Sequence, residues 1–186
     1  MRNIVSMQQV HGNNVVLVDR KNIGQEIPRC DGLITNDPKV TLGIKTADCL
    51  PIFIVDKKTK SIGLVHAGWR GLYKGIIGKA IFLMDKKFGV RPEDLQVFIG
   101  AHICPRHYEV KDDVSGKFED YTGAVIKKGE KKYLDLGKVA EIQLIKVGIN
   151  KKNIKADSRC TFENKVFFSY RRNHTKERNF YTLSLS

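Results

Sequence analysis

No stretch of the 186-residue chain approaches the roughly 20 consecutive apolar residues of a membrane-spanning helix. The longest apolar run, Leu50 to Val55, has the length of a buried strand. The opening MRNIVSMQQVHG lacks the apolar core and small-residue cleavage site of a secretory signal, so a cytoplasmic protein is expected. The four cysteines, Cys30, Cys49, Cys104 and Cys160, include no C-x-x-C pair. That excludes a zinc ribbon or redox dithiol motif, and a disulfide framework is not expected in a chain of this size. There is no internal repeat, low-complexity segment or Pro/Gly/Ser-rich linker. With 41% hydrophobic residues, the chain can bury one sizeable core, and a single domain over 1–186 is expected.

What is abundant is positive charge. The formal net charge is +13, which fits a nucleic-acid binder. The charge is mostly lysine, however, spread through DKKTK, DKKFG, IKKGEKK and NKKNIK at turns and helix ends. No basic helix with interleaved aromatics concentrates it. A solvated surface is the expected use, and steering of an anionic substrate fits the same charge.

Period-two and continuous apolar segments predict strands at NNVVLVDR, TLGIKT, PIFIVD, SIGLVH, LQVFIG, KKYLDL, VFFSYRR and NFYTLSL. DGLITNDPKV ends in a turn, and KKTKS joins PIFIVD to SIGLVH as a hairpin. From Gly71 the period becomes helical: Leu72, Ile76, Ala80 and Leu83 share a face, with Gly89 as C-cap and Pro92 as stop. VSGKFEDYTG is a weaker helix. Leu136, Val139, Ala140, Leu144 and Val147 mark a second amphipathic helix. Strands outnumber helices and partly run consecutively, which predicts an α+β fold with mixed sheets and flanking helices.

Chemistry concentrates at two bends. Cys49 sits where a strand is interrupted, between Asp48 and Leu50-Pro51, and His66 ends a hydrophobic strand before Gly-Trp-Arg-Gly. A cysteine near a histidine serves either as a nucleophile activated by that base or as part of a metal set with a second imidazole. Spacing does not choose between them. His11 in QQVHGNN reads equally as a turn residue. Arg70 offers a planar donor fork for phosphate or carboxylate beside a helix start; the plainer reading is a tight turn with Trp69 in the core. GLYKGIIGK is not a phosphate-binding P-loop, because Tyr73 stands where its first glycine belongs.

The segments QQVHGN, CDGLITN, TADCLPIFIVD, GLVHAGWRGL, FIGAHICPRHYEV and FFSYRRN occur in one order. Together they resemble the YfiH-like, or laccase-domain, family across almost the whole chain, with TADCLP and HAGWRG the most specific. The resemblance implies a YfiH-like, cysteine-hydrolase-like architecture and zinc bound by His11, Cys49 and His66. It implies purine nucleoside phosphorolysis, in which adenosine, inosine or methylthioadenosine and phosphate give base and sugar 1-phosphate, with adenosine deamination as a further activity. Family members are also called polyphenol oxidases and are linked to peptidoglycan-precursor editing. Five histidines cannot furnish the several multi-histidine centres of a multicopper oxidase, though one Cys-His-His site also takes copper.

The assignment expected on these grounds is metal binding by His11, Cys49 and His66, with Asp48 and Arg70 as catalytic residues. Arg70 serves the phosphate, and Asp48, or else Glu109, handles a proton. Purine nucleoside and phosphate are the expected partners, without membrane or nucleic acid. Family chains usually carry a further N-terminal segment bordering the substrate site, so a short form or fragment is expected. His102, Cys104 and His107 line the pocket rim, bind a second metal, or belong to a polar surface loop. Tyr170 and Arg171 match the family, and Arg171 or Arg172 is a further phosphate candidate; the NHT sequon at Asn173 carries no meaning in a cytoplasmic chain. The rivals are a metal-free cysteine hydrolase using Cys49 and His66, a copper polyphenol oxidoreductase, and a basic nucleic-acid-binding module.

Overall fold

The computed structural model describes residues 3–185. In chain order the strands and helices are β1 (Ile4–Met7), β2 (Val15–Leu17), β3 (Glu26–Ile27), β4 (Gly32–Thr35), β5 (Thr41–Thr46), β6 (Leu50–Asp56), β7 (Ser61–Ala67), α1 (Trp69–Tyr73), α2 (Ile76–Phe88), β8 (Gln96–Ile99), β9 (Glu109–Val110), α3 (Asp112–Ser115), β10 (Val125–Lys128), β11 (Lys131–Leu134), α4 (Leu136–Lys146), β12 (Ile154–Ala156), α5 (Tyr170–Asn173) and β13 (Asn179–Ser184). A mixed six-stranded sheet, ordered β12-β8-β6-β7-β4-β2, forms the middle layer. A four-stranded sheet, β13-β5-β1-β3, packs on one face, and α2 and α4 pack on the other. A small antiparallel sheet, β10-β11-β9, completes the α+β fold. Among the described residues no helix is long and apolar enough to cross a membrane.

Strand alternation explains why the middle sheet separates two cores. On β6, Leu50, Ile52 and Ile54 face the helices, while Phe53 and Val55 face the second sheet. On β7, Val65 and Ala67 take the helix side and Ile62 and Leu64 the sheet side. Both faces of these strands are dry, so they read as continuous apolar runs. Each fully buried Ile or Leu contributes about 1.5–3 kcal/mol relative to exposure. The same parity puts Cys49, just before β6, and His66 on the side of the second sheet, beyond the end of its cover.

Two expectations change. The helix expected from Gly71 is two helices, because Gly75 adopts a left-handed conformation (φ +75°) between α1 and α2. Leu72, Ile76 and Ala80 are buried as predicted, Leu83 packs half-buried against the same core, and Met84 completes the face. VFFSYRR is not a strand: Val166 is 82% and Phe168 41% exposed, and no partner strand pairs with them. The Asn179 side chain instead bonds both the N–H and the C=O of Phe168, and Ser169 caps α5 by accepting from the Arg172 N–H. LQVFIG forms β8, with Gln96 and Phe98 outward and Val97 and Ile99 buried. The strand β1 carried no sequence-based expectation.

Candidate metal centre

The hairpin β6–β7 pairs Pro51 with His66 and Leu50 with Ala67, so Cys49 falls opposite Gly68. A Cβ on residue 68 would stand 2.8 Å from Cys49 Sγ and 3.3 Å from His11 Cδ2. Glycine is therefore required there for the thiol and imidazole to occupy this space. Facing the hairpin end, the loop after β1 carries His11 in a left-handed conformation (φ 55°). The ligand atoms of His11, Cys49 and His66 all lie within 4.8 Å of one another, with Cys49 Sγ 4.0 Å from His11 Nε2.

Asp31 organises the three. It lies just before β4, whose register places it beside His66, and it is fully buried. Its carboxylate accepts hydrogen bonds from the Val10, His11 and Gly12 amides at 3.2, 3.0 and 2.7 Å and pairs with His66 Nδ1 at 2.8 Å. One side chain thus shapes the His11 loop and turns Nε2 of His66 toward the cluster. Burial alone would push the Asp31 carboxyl up. The His66 contact and the Gly12 and Val10 amides outweigh burial and hold it below the usual carboxylate range.

Burial likewise opposes ionisation of Cys49 and His66, yet each stabilises the other's charge. The His66 imidazolium and contact with His11 bring the Cys49 thiol down to about 6. The Cys49 thiolate and Asp31 raise His66 to about 9. A thiolate and two imidazoles, one steered through its second nitrogen by a carboxylate, are the donor set of an open zinc site. Donors sharing one tetrahedral ion stand about 3.5 Å apart, so the observed 4.0 Å separation needs little adjustment. The cation competes with the proton on His66. These residues fit a zinc-class ion.

The centre lies on a cleft of about 590 Å³, a volume typical of small-molecule sites. Arg70, Tyr108, Tyr170, Arg171 and Arg178 line it. Arg70 is exposed, its guanidinium 4.4 Å from the Trp69 ring centroid. Because α1 has only five residues, side chains rather than a helix end supply the positive charge here.

A family model described as multi-copper polyphenol oxidoreductase laccase matches residues 1–183. The chain belongs to this family. Purine nucleoside phosphorylase YfiH of Escherichia coli (strain K12) is 32% identical over 179 residues, covering 94% of this chain and 70% of that one. Purine nucleoside phosphorylase YlmD of Geobacillus stearothermophilus is 34% identical over 189 residues, covering 90% and 66%. The crystal structure of YlmD superposes with a TM-score of 0.94 at 31% identity, over 99% of this chain and 74% of that chain. The crystal structure of Bacillus licheniformis hypothetical protein YfiH gives 0.93 at 28% identity, over 98% and 74%.

In this laccase-like family member the other sequence candidates are placed as follows. Asp48 is buried, with a left-handed backbone (φ 92°) that side chains other than glycine rarely adopt. Its Oδ1 accepts from the Thr161 hydroxyl at 2.7 Å and its Oδ2 from the Arg171 N–H at 2.7 Å. Glu109 turns its carboxylate to Lys131 at 3.0 Å and does not line the cleft. Arg172 is spent on the carbonyls of Thr161, Phe162 and Phe167. His102 bonds the Gly100 carbonyl through Nδ1 and packs against Gly137, away from the cleft.

Two residues escaped sequence reasoning. Asp31 lay inside the quoted CDGLITN motif without a role; the available signal was an acid opening an apolar strand. Tyr108, in the cleft wall, is pushed up by burial and then by the Cys49 thiolate, so its phenol keeps its proton.

Proposed function

We propose that this protein is a zinc-dependent purine nucleoside phosphorylase that also deaminates adenosine. The observation that carries the reading is the convergence of His11, Cys49 and His66 in the wall of a nucleoside-sized, arginine-bordered cleft. The names of the relatives supply the substrate class. His11, Cys49 and His66 hold the zinc, which when bound supplies a Lewis acid for polarising substrate and activating water.

The chain's own residues do the rest. Arg70 and Arg171 bind phosphate, placing an oxygen for attack on the sugar carbon as its bond to the base breaks. Developing positive charge on the sugar is stabilised by that bound anion. Tyr108, which retains its proton, donates a hydrogen bond to the departing base nitrogen, while the proton that the base takes up is the one hydrogen phosphate loses on forming the sugar phosphate. Asp48 has both oxygens accepting hydrogen bonds, so we assign it to positioning: it fixes the Cys49 bend and the Arg171 amide rather than moving a proton. Asp31 keeps His66 in its ligating orientation.

A second reading has a specific observation behind it. Cys49, His66 and Asp31 are arranged as thiolate, base and orienting acid, as a cysteine hydrolase requires. A multicopper reading is less well supported. Among the described residues two histidines converge at the centre, whereas His102 and His174 lie apart from it.

Metal content and adenosine-plus-phosphate turnover, measured on wild type and Cys49→Ala purified without chelator or His tag, test the proposal. About one zinc per chain bound at this centre, lost together with turnover in the variant, is expected. Turnover by zinc-stripped wild type would overturn it and favour the cysteine nucleophile.

A further inference from the structure

Two segments meet behind Asp48. From residues 102–108, the Ile103 N–H donates to the Asp48 carbonyl at 3.0 Å. From residues 160–163, the Thr161 hydroxyl reaches the Asp48 carboxylate, and the Thr161 N–H donates to the His102 carbonyl at 3.0 Å. The Cys104 N–H donates to Cys160 Sγ at 3.1 Å, closing the junction.

On the outer side of this junction stand a thiol, an imidazole and a carboxylate. The ligand atoms of Cys104, His107 and Glu163 lie within 4.8 Å of one another. Glu163 Oε1 is 3.0 Å from His107 Nε2 and 3.7 Å from Cys104 Sγ. We propose that Cys104, His107 and Glu163 form a second binding site for a zinc-class divalent cation, separate from the His11–Cys49–His66 centre.

The donors are of the types zinc prefers, one each of sulfur, nitrogen and oxygen, leaving a coordination position for water. They are partly held in place already. The His107 ring stacks on Phe162 with centroids 4.1 Å apart and planes at 16°. The three come from two segments far apart in sequence, so one ion cross-links both sides of the junction that holds Asp48. Binding replaces the Cys104 thiol proton, which passes to solvent, and no electron transfer is involved.

Arg106 is the competitor. Its guanidinium bonds both oxygens of Glu163, at 2.8 and 2.9 Å, so the cation must share that carboxylate. Arg106 accounts for the position of Glu163. It does not account for a thiol and an imidazole edge aimed at the same oxygen.

The test uses the full chain carrying His11→Ala and Cys49→Ser, which removes the first centre. Cobalt(II) and zinc(II) are titrated, and bound metal is counted after desalting. One ion per chain is expected, with a thiolate-to-cobalt charge-transfer band that Cys104→Ser abolishes. Adding His107→Ala or Glu163→Gln, both at partly exposed side chains, abolishes stoichiometric binding with circular dichroism unchanged. Adding Arg106→Ala instead tightens binding roughly two- to fivefold, as expected for an exposed ion pair. In otherwise wild-type protein, His107→Ala lowers the count from two ions to one. No ion in the background variant, or an ion that survives His107→Ala and Glu163→Gln, overturns the proposal.

Discussion

Replacing Asp31 with asparagine removes the group on which the candidate metal centre depends while leaving its volume intact. Each carboxylate oxygen serves two partners: Oδ1 takes the His11 amide and His66 Nδ1, and Oδ2 takes the Val10 and Gly12 amides. If Oδ2 becomes NH₂, the Val10 and Gly12 amides face a donor; if Oδ1 does, the His11 amide faces one and His66 must take the tautomer that accepts at Nδ1. At about 1–3 kcal/mol for each unsatisfied group, the cost is roughly 2–5 kcal/mol after relaxation, out of about 5–15 kcal/mol for a typical domain. A chain of this size loses about 2–4 °C of melting temperature per kcal/mol, so a fall of roughly 4–20 °C is expected. Zinc affinity falls further than stability alone requires, by about 10- to 100-fold, because a neutral amide in either orientation no longer holds His66 Nδ1 with a carboxylate's charge. Differential scanning calorimetry measures the first, and competition with a chromophoric chelator the second. An Asp31→Asn protein with wild-type melting temperature and zinc affinity would refute the argument that this carboxylate builds the site.

Gly68→Ala places a methyl against Cys49 and His11; we expect a stability cost of about 1–3 kcal/mol and at least a tenfold loss of zinc affinity by the same competition assay. In chelator-stripped native protein, alkylation of Cys49 followed against pH rises to a plateau with a midpoint near 6, since the lowered thiol is thiolate above that value. Cys30, pushed up to about 12 by burial and by Asp31, stays unreactive until the protein unfolds. Tyr108→Phe removes the proposed hydrogen-bond donor to the leaving base and lowers kcat for phosphorolysis about 10²-fold with KM little changed; an unchanged kcat would remove Tyr108 from that step.

The fold class was legible because burial writes itself into sequence periodicity. β6 and β7 read as strands from continuous apolar runs, and Gly89 marked the end of α2, where it does adopt a left-handed conformation (φ +68°). Failures arose where a side chain replaced a ladder. VFFSYRR has the composition of a strand, but Asn179 satisfies the Phe168 backbone, and Asp48 takes the Arg171 amide from 123 positions away. No local pattern encodes such long-range acceptors.

The same division holds at the site. The residue types at the two bends, a Cys before Leu-Pro and a His before Ala-Gly-Trp-Arg-Gly, were readable from the chain alone, and so was their hairpin, because strand alternation and turn chemistry are local. The family resemblance named His11 as the histidine that joins them; which acid orients His66, and which polar residues face the cleft, were decided by packing. His11 arrives through a loop pinned by three amide bonds to Asp31, and Asp31 reaches His66 only because β4 pairs with β7. Asp48, which looks in sequence like an acid beside a nucleophile, has both oxygens occupied by groups from the distant Thr161 and Arg171. A carboxylate's role depends on what donates to it, and those donors are brought in by tertiary structure.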